Sequence, residues 1–474
     1  MGSFFRNLST GSQRWIVLVT LFSVTLASVP VATKSTASHV AILIPFVLCI
    51  GWAAVRVRSR VETLTAAVVT VYGITLAIEI FRGYPKLSHA INDALLVAIL
   101  VIFGAMLMMS AQTEDERKLR IAAIALAPAV YIAVNVIMHL GHLGPTRLAD
   151  PGEKALAAGE GASLLKLFGV STQRIQFPLS LGVNAFGAVA AAGFAAATLL
   201  AVYDRAFPRR LTVPLAAVSL YGALASDSRT AILIALVAIA LTVVAPRLRS
   251  ALPTVVLLSL APLLLVSLVG RLGGSNSLST LTRGKSGEIS TLNGRYYIWK
   301  GAWEVAGKLN LHTLIGWGAD GQKKSGASLH YAYIFQGSPE PTKYTAHNLI
   351  LQSILDGGYL SVAVFLVAVL IVLWRLDRVI RMTPRAPVAA LRAALLVVLF
   401  AGITEALPNY DSDDCLAVLL VSFGTAAALA APVRDQALAR LRKHGYPKRG
   451  SLAPAASMSS PLAIISKHRG SEPI

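Results

Sequence analysis

The feature that most constrains this chain is its succession of apolar runs, each about twenty residues long and set off by short basic clusters. A run of that length crosses the roughly 30 Å hydrocarbon core of a bilayer as one helix, with every backbone N–H and C=O satisfied inside the segment. At helical-span length the runs fall near residues 15–33, 39–55, 61–81, 91–111, 121–141, 181–203, 211–225, 230–245, 251–270, 358–374, 386–406 and 415–433. The expected fold is an all-α integral membrane protein of about twelve transmembrane helices, with one large hydrophilic loop between the ninth and tenth. This divides the chain into 1–270 (spans 1–9), 271–357 (the loop and a short terminal helix), 358–433 (spans 10–12) and 434–474, a basic Ser/Ala/Pro-rich tail expected to be disordered.

A net charge of +20 suggests a nucleic-acid partner until its placement is read. Arg56, Arg58 and Arg60, then Arg117, Lys118 and Arg120, Arg205, Arg209 and Arg210, Arg247 and Arg249, and Arg375, Arg378, Arg381 and Arg385 all fall between spans on one side. That is the positive-inside pattern, so the charge reports orientation: both termini cytoplasmic, the long loop outside, no nucleic acid. TEDERKLR, from Thr113 to Arg120, reads as a solvated inside loop. The first run lacks a small-residue cleavage site and is expected to be a retained span. Cys49 lies in the middle of the second run and Cys415 at the outer edge of the last, so they cannot easily meet, and they have no metal-ligand spacing; neither disulfide nor zinc is expected. No phosphate loop, paired-carboxylate metal motif or internal repeat occurs. No metal or cofactor is expected.

The polar residues that matter gather at the outside rim. In KYTAHNLILQSILDGG, from Lys343 to Gly358, Thr345 reads as an N-cap, placing Ala346, His347 and Asn348 in the first turn of a helix. There the positive end of the helix dipole favours neutral imidazole, the form that acts as a base. Because 358–374 alone is long enough to span, AHNLILQSILD is expected to be a separate short helix broken at Gly357–Gly358. In ASDSRTAIL, Arg229 opens a helix beside Asp227, and in NGRYYIWKGAWEVAG, Arg295 opens another. A helix N-terminus attracts anions, and arginine adds a fork that fits phosphate, although an Arg229–Asp227 pair is an equal reading of the first. In the second, Tyr296, Trp299, Ala302, Trp303 and Ala306 form a stripe suited to packing at the membrane interface. STQRIQFPLSLGVN carries Arg174 at the rim and Asn184 inside the sixth span; the 152–168 segment reads as an amphipathic surface helix. GWGADGQ, from Gly316 to Gln322, reads as a turn-rich link and only weakly as a phosphate cradle. Glu79 is expected to pair with Arg82, with a substrate role as the alternative, and Glu405, Asp411, Asp413 and Asp414 to form a solvated acidic cap, with orientation of His347 or of a basic residue as the alternative.

Arg174…Asn184, SDSRTA, NGRYYIW, TAHN and GITE, in this order on about twelve spans with one late loop, resemble the O-antigen ligase and polymerase superfamily of bacterial envelope enzymes. The resemblance runs from Leu165 to Asp414. It implies a lipid-facing helical glycosyltransferase fold, no metal or nucleotide sugar, and a donor carried on undecaprenyl pyrophosphate. It implies catalytic roles for His347, Arg229 and Arg295, and substrate binding by Arg174, Arg229, Arg295 and Asn348. The expected protein is thus an inner-membrane O-antigen ligase with a periplasmic site and a lipid A-core acceptor, an O-antigen polymerase being the alternative. A polytopic lipid or sugar transporter is a third reading, but it would place ionisable residues at the bilayer midplane.

Overall fold

The computed structural model describes residues 36–57, 61–143, 147–148, 175–180, 182–204, 208–244, 249–272, 295–335, 345–382, 386–408 and 413–429. The expectations for the first run, the 152–168 helix, Arg174, Asp411 and the 434–474 tail lie outside these residues. The described chain is helical: α1 (Thr36–Ala54), α2 (Thr63–Gly83), α3 (Leu87–Met109), α4 (Glu114–Leu140), α5 (Val183–Tyr203), α6 (Arg209–Ala225), α7 (Arg229–Val244), α8 (Ala251–Leu272), α9 (Arg295–Ala306), α10 (Leu311–Ile315), α11 (Gly321–Lys324), α12 (Leu349–Met382), α13 (Ala386–Ala401) and α14 (Asp413–Ala428). Each apolar run from 39–55 onward carries a helix. Five helices, α2 to α5 and α12, are long and apolar enough to cross a membrane. One short antiparallel ladder departs from the all-helical expectation, with Arg147 opposite Gln176 and Leu148 opposite Ile175.

Small residues set the packing. Along α5 alanine and glycine let neighbours approach closely, and the helix is buried on nearly every face against α4, α6 and α13. Gly104 of α3 lies against the backbone of Val421, and Gly424 of α14 against that of Val101, so these two helices meet main chain to main chain. Leu, Ile and Val side chains point outward instead, among them Ile74 and Ile78 on α2 and Leu233 and Leu236 on α7. Water would not tolerate such a belt; lipid chains suit it.

TEDERKLR is not a solvated loop. Thr113 caps α4 by accepting from the Glu116 amide, and Arg120, one turn further on, pairs with Glu116 while both are buried. Arg120 also donates to Ser110 and lies over the Trp52 ring, which gives a charged group partners it would otherwise find only in water.

The expected break in the Lys343–Gly358 stretch is present. Within α12, Gly358 takes φ 75° and ψ 179°, a conformation open essentially to glycine alone, so 349–357 is set off from the longer apolar helix. Into this kink the segment from α10 to α11 is fitted. Its Trp317 amide donates to Leu355 O, the Gly318 amide to Asp356 O and the Gly321 amide to Asp356 Oδ1. Arg82, at the end of α2, donates to the carbonyls of Ile315 and Gly316, and Ala319 donates to Glu79 O. The amides of Gly316, Trp317, Gly318, Ala319 and Gly321 are therefore committed to protein carbonyls and a carboxylate, and the segment is a docking strap, not a phosphate cradle. Glu79 does not pair with Arg82; it is buried and accepts from Ser361.

Candidate active site

The site forms where α9, the chain before α12 and the turn after α13 converge. The first turn of α12 is not capped by Thr345. Asn348 is the cap: its Oδ1 accepts from the Leu351 amide at 3.0 Å, which leaves His347 just outside the helix. His347 takes φ 46°, a left-handed conformation that costs a non-glycine residue about 1–3 kcal/mol and persists only where neighbours over-determine it.

The neighbours do so here. Trp299 of α9, fully buried, donates its indole N–H to His347 O at 3.0 Å. The Leu349 amide donates to Gly402 O at 2.8 Å, and Asn348 Nδ2 donates to Ile403 O at 2.8 Å. Asn348 is thus buried with its amide engaged at both ends, an arrangement that fixes backbone. The aromatic stripe of α9 divides accordingly: Trp299, Ala302 and Ala306 pack inward while Trp303 is partly exposed.

Helix α13 ends at Ala401, short of the expected 406, because Gly402–Glu405 turn back with Thr404 and Glu405 both donating to Ala401 O. This turn aims Glu405 between two groups distant in sequence. Its Oε1 accepts from Arg295 at the N-terminus of α9, and its Oε2 lies 2.9 Å from His347 Nδ1. Glu405 is not a solvated cap, then, but a bridge. An ionised carboxylate only accepts, so Nδ1 carries the proton and the imidazole lone pair sits on Nε2. Side-chain exposures of 22% for His347, 20% for Arg295 and 13% for Glu405 leave the group sheltered yet reachable.

Arg229 opens α7 as expected, and its Nε donates to Asp227 Oδ1 at 3.1 Å, so the pair read as one of two options is formed. Asp227 is buried and left-handed (φ 53°), and the adjoining Ser228 is pressed against Gly187 of α5. The Arg229 side chain is 23% exposed, comparable to Arg295. The structure therefore joins Arg295 and His347 through Glu405, anchors Asn348 next to His347, and pairs Arg229 with Asp227. Glu405 was the residue that sequence left in doubt. The one signal for it was an acidic side chain in GITE at the end of an apolar run, and the partners that give it meaning lie 58 and 110 positions away.

The described chain thus combines apolar helices long enough to cross a membrane with a sheltered chain of cation, carboxylate and imidazole. The family model described as O-antigen ligase matches residues 214–366, about a third of the chain, and over that stretch supports an O-antigen ligase family assignment. The match takes in Arg229, Arg295, His347 and Asn348. No curated protein and no solved structure matches the chain.

Proposed function

We propose that this protein is an O-antigen ligase of the bacterial inner membrane, transferring a polysaccharide from undecaprenyl pyrophosphate to a lipid A-core acceptor on the periplasmic face. The observation that carries the reading is the Arg295–Glu405–His347 chain. In the transfer, the acceptor hydroxyl oxygen attacks the anomeric carbon and its proton passes to Nε2 of His347. The bond from that carbon to the pyrophosphate breaks, the electron pair leaves with the phosphate, and the configuration inverts. Glu405 holds the tautomer that can accept the proton and offsets the charge the ring gains, as a buried carboxylate does behind any imidazole base. Arg229 and Arg295, at helix N-termini, stabilise the negative charge growing on the leaving group, with Arg174 as a further contact.

This needs one base and a cationic clamp, whereas glycosidases flank the bond with two carboxylates. The same chemistry serves an O-antigen polymerase, whose acceptor is another lipid-linked repeat unit. The test is His347→Ala in purified protein. Because the ring sits outside the helix while Asn348 and Trp299 hold the backbone, the variant should stay folded and lose transfer by at least about 10²-fold, the scale of a positioned general base. Transfer near the unsubstituted rate in folded variant removes His347 as the base.

A further inference from the structure

The residues just before His347 are tied to a second polar centre that the reaction outlined above does not use. Gln352, on the first turn of α12 and buried, accepts from the Ala346 amide through Oε1 at 2.9 Å. Its Nε2 donates to Gln322 Oε1 at 2.7 Å and to both oxygens of Asp356, at 3.0 and 2.9 Å. Gln322 belongs to the docking strap, and Asp356 is the residue on which the strap's Gly318 and Gly321 amides close.

The pattern of donors and acceptors is one-directional. Asp356 presents carboxylate oxygens to Gln352, so the side that meets it must be the NH2, and the carbonyl oxygen is left to face Ala346. A flipped amide would set oxygen against carboxylate and an NH2 against an N–H. The strap thus fixes which end of Gln352 meets the backbone beside the left-handed His347.

We propose that Gln352, aimed by Asp356 and Gln322, is a positioning residue for His347: it locks the Ala346–His347 backbone so that the imidazole meets the acceptor hydroxyl. This rests on His347 acting as the base. A ring held about 1 Å out of place can lower turnover on the order of a hundredfold while leaving donor binding intact.

The experiment uses the full chain in lipid vesicles, with two readouts. Gln352→Met keeps length and approximate volume but removes every hydrogen bond. Hydrogen exchange over 345–349 should lose its protection, and kcat should fall about 10- to 100-fold with donor KM within about twofold. Gln352→Glu alone sets carboxylate against carboxylate and should be worse. Gln352→Glu with Asp356→Asn restores the pattern once the Gln322 amide turns its NH2 to the new carboxylate in place of its oxygen, since the introduced asparagine can donate to that carboxylate and still accept from Gly321, and should recover most of kcat. Should Gln352→Met not accumulate as folded protein, Gln322→Met, which removes one of the acceptors that aim Nε2, shifts both readouts the same way by less.

Unchanged exchange and kcat in Gln352→Met overturn the proposal. So does a double variant no better than Gln352→Glu. If His347→Ala turns over normally, the base assignment has failed instead, and the exchange readout still decides whether Gln352 holds this backbone.

Discussion

Replacing Glu405 by glutamine removes one charge with almost no change of shape, and the geometry dictates the consequence. Arg295 can only donate, so it must meet the new amide's oxygen; the NH2 then faces His347 Nδ1. To accept that donor, Nδ1 must give up its proton, which moves to Nε2, the atom that has to take the proton from the acceptor. The wrong tautomer cancels most of a general base's contribution, and transfer should fall by about 10²- to 10³-fold. Stability should change far less. Two charge-assisted contacts become weaker ones, roughly 1.5–3 kcal/mol each at full strength, but both partners are about one-fifth exposed and screened by solvent, so a net loss near 1–2 kcal/mol is expected. The assay is transfer by purified protein in vesicles with lipid-linked donor and lipid A-core, beside a thermal melt. Glu405→Gln with more than a third of the normal rate would refute the tautomer argument; equal collapse of melt and rate would reduce Glu405 to a structural strut.

Four further outcomes are expected. In Arg229→Lys and Arg295→Lys the charge stays but the fork is lost, so each should slow transfer roughly ten- to a hundredfold, from a contact of about 1.5–3 kcal/mol; near-normal rates would return both to structural pairing. In the double lysine variant, melting shifts should add while rate losses should not, because the two arginines share a ligand only in the complex. Transfer should proceed in EDTA and without ATP, and inhibition by chelation that a divalent ion reverses would contradict the metal-free scheme. Gly358→Ala should lower stability by at least about 1–3 kcal/mol, because φ 75° is strained for alanine and the new Cβ would collide with Leu314 O; an unchanged melt would mean the kink is not needed.

The helices were legible because membrane burial writes itself into sequence as length: each run from 39–55 onward carries one, and the break at Gly358 followed from a run too long for a single span. Arg229 and Arg295 opening helices were legible for the same local reason. What local signals could not supply was choice among neighbours. Thr345 and Asn348 are both good caps, and Asn348 wins because its Nδ2 also reaches Ile403, a partner 55 positions away. The helix of TEDERKLR was hidden by its charge; Glu116, Leu107 O, Ser110 and Trp52 together make burial of Arg120 tolerable, and all but Glu116 lie outside that stretch. Glu405 looked like one acid among several. Its role depends on α9 and the pre-α12 segment arriving at either side of it.

Whether this chain joins a lipid-linked glycan to a lipid A-core acceptor is tested most directly by reconstitution. Purified protein in vesicles is given undecaprenyl pyrophosphate-linked O-antigen and lipid A-core, and the products are separated by size. The expected product is core bearing the glycan, formed by the unsubstituted protein and not by His347→Ala. Glycan lengthened on its lipid carrier while the core stays bare would make the protein a polymerase, and donor merely moved across the bilayer with no new glycosidic bond would contradict the proposed transfer altogether.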